Sequence, residues 1–166
     1  MLSHIFAWLS GFSMLFKKKV ISIMPDLSNL TRKVDLLVIH CSATPPNMDI
    51  GAKEIRRWHK DKGWSDIGYH DVIRRNGVLE RGRDYNRSGA HVRGYNSKSI
   101  GVCMIGGVDE YNEAEDNFTR EQWKTLERYC RMTKAQVPVT IHGHNEFANK
   151  ACPSFSVQDW LQSENI

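Results

Sequence analysis

Two histidines and a cysteine stand where a fold could bring them to one point. His40 closes the apolar run Asp35 to His40, and His144 follows a second run, Val137 to His142. Cys152 lies eight residues further on, within Lys150-Ala-Cys-Pro-Ser-Phe155. Two imidazoles and a thiolate are borderline-soft donors suited to zinc. Three protein ligands leave a fourth tetrahedral position open, which is the arrangement of a catalytic site. Structural zinc sites usually take four ligands in short clustered pairs. Here about a hundred residues separate the first donor from the others, so only tertiary structure can assemble them. Spacing by itself leaves metal binding open, because a histidine at a strand end is more often an ordinary surface residue. No His-Glu-x-x-His helix is present, which argues against a thermolysin-like protease. Gly106-Gly107 lacks the Lys-Ser/Thr ending of a phosphate loop and reads as a turn.

The elements that must position these residues follow from hydrophobic pattern and punctuation. Asp35 to His40 has the length and near-continuous apolarity of a buried strand. Cys41 to Asn47 is loop by its Pro and Asn content. Ile50 to Lys62 reads as a helix, with Asp49 as its cap, Ile55, Trp58 and His59 on one face, and Gly63 as its stop. Asn76-Gly77 between Val72 and Glu80 marks a hairpin with a type I′ turn. Ser99 to Ile105 is a further apolar strand. Thr119 to Ala135 is the strongest helix: Thr119 and Gln122 form a capping box, and Trp123, Leu126, Cys130 and Thr133 follow helical spacing. Ser156 with Asp159 caps a last short helix carrying Trp160 and Leu161. Strands interleaved with helices of this size predict an α/β or α+β single domain, with a central mixed sheet flanked by helices. That domain is expected over 34–166, with 1–33 as an N-terminal extension.

Charge narrows the partners. The net charge is +4, and the first 33 residues hold five basic side chains against Asp26 alone. The domain itself is therefore near neutral and carries no basic stripe to release counterions, which excludes a nucleic-acid role. The four cysteines (Cys41, Cys103, Cys130 and Cys152) show no dense disulfide framework, so thiols are expected. Cys41, Cys103 and Cys130 read as buried core thiols. Ile5 to Phe16 is apolar but too short to span a bilayer in the usual way. Lys17, Lys18 and Lys19 follow it, the reverse of a secretory signal's order. The extension reads as a disordered segment, an upstream start with Met24 as the true one, or a weak membrane-surface anchor, without stable membrane insertion.

Several segments occur together in one order: Val38-Ile-His40-Cys-Ser-Ala-Thr44, Ile55-Arg-Arg-Trp-His59, Gly63-Trp-Ser-Asp-Ile-Gly-Tyr69-His70, Gly89-Ala-His91, Gly94-Tyr-Asn96, Ser99-Ile-Gly-Val102 and Lys150-Ala-Cys-Pro-Ser-Phe155. Together, from about Val34 to Trp160, they resemble the type-2 N-acetylmuramoyl-L-alanine amidase family, which includes phage lysozymes of the T-seven type and animal peptidoglycan recognition proteins. The likeness is stronger to the phage enzymes. It implies one zinc ion held by His40, His144 and Cys152, with Tyr69 and Lys150 as catalytic partners. His142 lies two residues before His144; the family's spacing to the cysteine selects His144. By family position His91 and Asn96 are substrate-groove residues. Glu146 is the runner-up base, with an exposed loop carboxylate as its plainer role. His70 adjoins Tyr69 and faces the other way in an extended chain, which makes it structural.

The resemblance implies hydrolysis of the amide bond between N-acetylmuramic acid and L-alanine in peptidoglycan by a phage or prophage endolysin. Such an enzyme is expected to be a monomer, held in the cytoplasm of the producing bacterium until lysis and then acting on the wall. A non-catalytic peptidoglycan-binding module is the alternative. Cys152, Tyr69 and Lys150 argue against it, since binding-only relatives usually lack the cysteine ligand. The T-seven-type lysozymes also bind their phage RNA polymerase, which makes that enzyme a further possible partner.

Overall fold

In the computed structural model, which describes residues 24–166, the apolar runs become a five-stranded sheet ordered β3-β2-β4-β1-β5. The Ile5 to Phe16 run and the three lysines after it lie outside the described residues. The strands are β1 (Leu36–Cys41), β2 (Asp71–Ile73), β3 (Leu79–Arg81), β4 (Ser99–Met104) and β5 (Thr140–Gly143). β1 pairs in parallel with both β4 and β5, β2 runs parallel to β4, and only β3 is antiparallel to its neighbour. The expected central mixed sheet flanked by helices is the observed architecture. β1 and β4 are buried along nearly their whole length, as strands covered on both faces must be.

One face is covered by α1 (Ala52–Asp61), whose Ile55 packs with Ile67, Val72, Cys103 and Ile105. The other is covered by α2 (Arg120–Gln136) and α3 (Val157–Glu164), with Leu126, Tyr129 and Cys130 against Leu37, Ile39 and Met104. The α2 start is as its sequence predicts: Thr119 accepts from Gln122 N–H, and the Gln122 side chain reaches back to Thr119 N–H. Ser156 caps α3 by accepting from Asp159 N–H.

Two local expectations are corrected. The cap of α1 is Gly51, not Asp49. The Glu54 carboxylate accepts Gly51 N–H, Glu80 from the neighbouring hairpin accepts Ala52 N–H, and Asp49 pairs with Arg74. The Asn76-Gly77 hairpin does not use a type I′ turn, since only Gly77 has positive φ (80°). Gly77 N–H donates to Arg74 C=O and Arg74 N–H to Val78 C=O, which is a three-residue loop closed by a left-handed glycine.

The packed body also starts earlier than Val34. Leu27 is buried, Leu30 packs on the core, and Gln136 accepts Leu27 N–H. Arg32 donates to the carbonyls of Ser97 and Ser99. Residues 25–33 thus belong to the folded body. All four cysteines are free, and Cys103 and Cys130 are fully buried, as expected. Among the described residues no helix is long and apolar enough to cross a membrane.

His70 is fully buried, with Nδ1 accepting Gly101 N–H and Nε2 facing Arg87 C=O. Burial, reinforced by Arg32, Arg83 and Arg81, pushes its pKa down to about 4. The unfolded chain therefore takes up a proton that the folded one refuses. Stability from this group is complete above about pH 6.5 and is lost as pH falls toward 4, by about 3 kcal/mol. Asp71, which burial pushes upward, works in the opposite sense, so a paired comparison isolates the imidazole. Urea unfolding at pH 7 and pH 4.5 should show a smaller acid loss for His70→Gln than for wild type. Equal losses would refute this role.

Candidate metal centre

Sheet register brings the predicted donors together. Ile39 pairs with Gly143, so the next residues, His40 and His144, lie side by side at the carboxyl ends of two parallel strands. Their ring centroids are 4.7 Å apart. A 3-10 turn, His144–Glu146, then leads into the loop that carries Cys152 back, where Asn145 N–H donates to Cys152 C=O. One donor atom from each of His40, His144 and Cys152 lies within 4.8 Å of the others, and this is the metal-compatible cluster found among the described residues. Carboxyl edges of strands in such sheets are where ligands commonly sit.

The donor set fits a zinc-like ion. His40 Nδ1 faces Cys152 Sγ at 3.8 Å. Two ligands of one tetrahedral zinc, at 2.0–2.1 Å and 2.3 Å, stand about 3.5 Å apart, so a small contraction suffices. His40 is 1% exposed, and burial, with His91, His144 and Lys150 nearby, holds its pKa well below the ordinary histidine range. Burial and Lys150 also lower His144. Both rings are thus neutral near pH 7, the form that ligates. Cys152 Sγ accepts Cys41 N–H at 3.2 Å. Beside Cys152, with Ala43 and Ser154 as further partners, the Cys41 thiol is pulled down to about 6, while the Cys41 neighbour and burial push the Cys152 thiol up. A metal ion held there would instead favour the thiolate on Cys152, its ligand. The contact between Cys41 and Cys152 was not foreseen, because strand alternation points Cys41 away from His40 and says nothing of a sulfur arriving from a distant loop.

The other expected residues divide between the cluster and its surroundings. The Tyr69 ring stands 5.1 Å from that of His40 and packs against the apolar cluster that holds Cys103. Burial raises the Tyr69 pKa far above its usual value, so the phenol keeps its proton. Lys150 is exposed and lines a groove of about 450 Å³ together with His144, Trp64, Arg93 and Phe147. His142 turns away, bonding Glu146 at 2.7 Å and Thr140 at 3.0 Å. Glu146 is held by His142, Gly143 N–H and Gln158, which leaves it on the flank of the loop.

His91 and Asn96 line the same groove, but their polar atoms are engaged inside the protein. His91 Nδ1 lies 2.9 Å from His40 Nε2, and Asn96 Oδ1 accepts the N–H groups of His91 and Val92. Trp64, 42% exposed, is a groove residue that sequence reading did not single out; its place in the Gly63-Trp-Ser-Asp segment was the available signal.

The family profile described as N-acetylmuramoyl-L-alanine amidase matches residues 30–155. The endolysin of Enterobacteria phage K11 is 48% identical over 129 residues, covering 77% of this chain and 85% of the relative. The endolysin of Escherichia phage T7 is 42% identical over 133 residues, covering 80% and 88%. Among solved structures, the N-acetylmuramoyl-L-alanine amidase LysC from Clostridium intestinale superposes with a TM-score of 0.70 at 26% identity, over 81% of this chain and 87% of that one.

Proposed function

The chain belongs to the N-acetylmuramoyl-L-alanine amidase family and is a peptidoglycan amidase, and on that premise we propose how its residues perform the cleavage. His40, His144 and Cys152 hold one zinc ion, and the observation that carries this reading is the convergence of their donor atoms within 4.8 Å. Zinc bound there supplies the Lewis acidity that activates water and polarises the bond between N-acetylmuramic acid and L-alanine.

The chain's own groups do the rest. An amide nitrogen leaves poorly unless it is protonated. Tyr69, held protonated by burial beside His40, is placed to orient the nucleophile and hand on a proton. Lys150, two residues before a ligand and on the groove wall, sets its positive charge beside the developing oxyanion. Trp64 and Arg93 are the exposed groove side chains suited to a sugar face and to a stem-peptide carboxylate. Action on the wall from the cytoplasmic side at lysis fits the endolysin relatives.

Digestion of purified cell walls tests the bond assigned. New alanine amino groups should appear in step with wall solubilisation, with no new reducing sugar ends. Reducing ends, or amino groups on any other residue, would overturn the assignment.

A further inference from the structure

We infer that His91, with Asn96 behind it, is a positioning residue that fixes the tautomer and ring orientation of His40, and not a substrate contact; this rests on the metal site proposed above. His40 presents Nδ1 toward Cys152 and Nε2 toward His91. A neutral imidazole that ligates through Nδ1 must carry its proton on Nε2, and the atom 2.9 Å away is His91 Nδ1. His91 Nδ1 therefore accepts, its Nε2 carries the proton, and Ser99 Oγ at 3.2 Å receives it. The chain of hydrogen bonds has one consistent direction, from ligand to buried serine.

The surroundings are shaped for this ring. His91 is 8% exposed. A Cβ at Gly101 would meet the His91 ring at 2.7 Å, and one at Gly89 would meet it at 2.4 Å. Two glycines thus clear the floor beneath it. Asn96 Oδ1 accepts two successive backbone N–H groups, from His91 and Val92, which sets where the His91 Cα stands. Partners of this kind fix ligand orientation, and their loss typically weakens metal binding 10–100-fold.

Zinc affinity, measured by competition with a chromophoric chelator on the full chain, gives the test. His91→Ala should raise the zinc Kd about 10–100-fold. His91→Asn, whose Oδ1 can take the place of Nδ1 as acceptor, should recover most of the loss. KM for a soluble muropeptide should stay near wild type in both. Unchanged zinc affinity with a raised KM would overturn the proposal and return His91 to the substrate groove. A wild-type chain that binds no zinc would sink the metal site itself, a distinct outcome. If His91→Ala does not fold, two-bond ¹H–¹⁵N spectra of wild type decide: His40 and His91 should both carry their protons on Nε2, and a proton on His40 Nδ1 overturns the assignment.

Discussion

Cys152→Ala is expected to abolish wall hydrolysis, by on the order of a thousandfold, while the chain stays folded. The reason is physical. A Lewis acid at the reacting carbonyl contributes several kcal/mol, and about 4 kcal/mol corresponds to a thousandfold in rate. The loss should exceed the 10–100-fold expected for an outer partner such as His91, because removing the thiolate leaves two imidazoles to hold the ion. Cys152 is half-buried at the edge of the core, so circular dichroism should change little. A chelator should reproduce the loss in wild type, and added zinc should reverse it. Full turnover by Cys152→Ala would contradict the site.

The second large effect separates proton movement from metal binding. Tyr69→Phe is expected to lower kcat a hundredfold to ten-thousandfold, the usual range for a general acid–base group. Lys150→Ala should cost about a hundredfold to a thousandfold, as for loss of one oxyanion partner. Neither side chain belongs to the donor cluster. Both variants should therefore keep wild-type metal content and thermal stability. Loss of the ion in Tyr69→Phe would mean that its hydroxyl supports the donor cluster and not the reaction. Unchanged kcat in both would leave the proton steps without an owner.

Much of this was legible in the chain itself, for identifiable reasons. Strands β1 and β4 are written as apolar runs, and the α2 start as Thr119 with Gln122, because each signal is local. The three donors could be named only through the family resemblance carried by segments such as Val38-to-Thr44 and Lys150-to-Phe155, since spacing alone left metal binding open. What escaped depends on neighbours that sequence does not declare. Glu80 caps α1 from another element, which frees Asp49 for Arg74. The positive φ falls on Gly77 alone because the loop is one residue longer than a two-residue turn. Leu27 and Arg32 looked like tail, since an isolated apolar or basic residue makes no periodicity, yet Leu27 finds a partner at the end of α2 and Arg32 one on β4. His91 and Asn96 looked like groove by position. Only the 2.9 Å contact to His40 and the paired N–H bonds to Asn96 show where their polar atoms go.

Metal content of the purified chain, read by native mass spectrometry beside Cys152→Ala, addresses the site most directly. The expected result is one zinc per wild-type chain and almost none in the variant. A folded, wall-lytic wild type that carries no metal, or a variant that retains a full equivalent, would contradict the assignment of His40, His144 and Cys152.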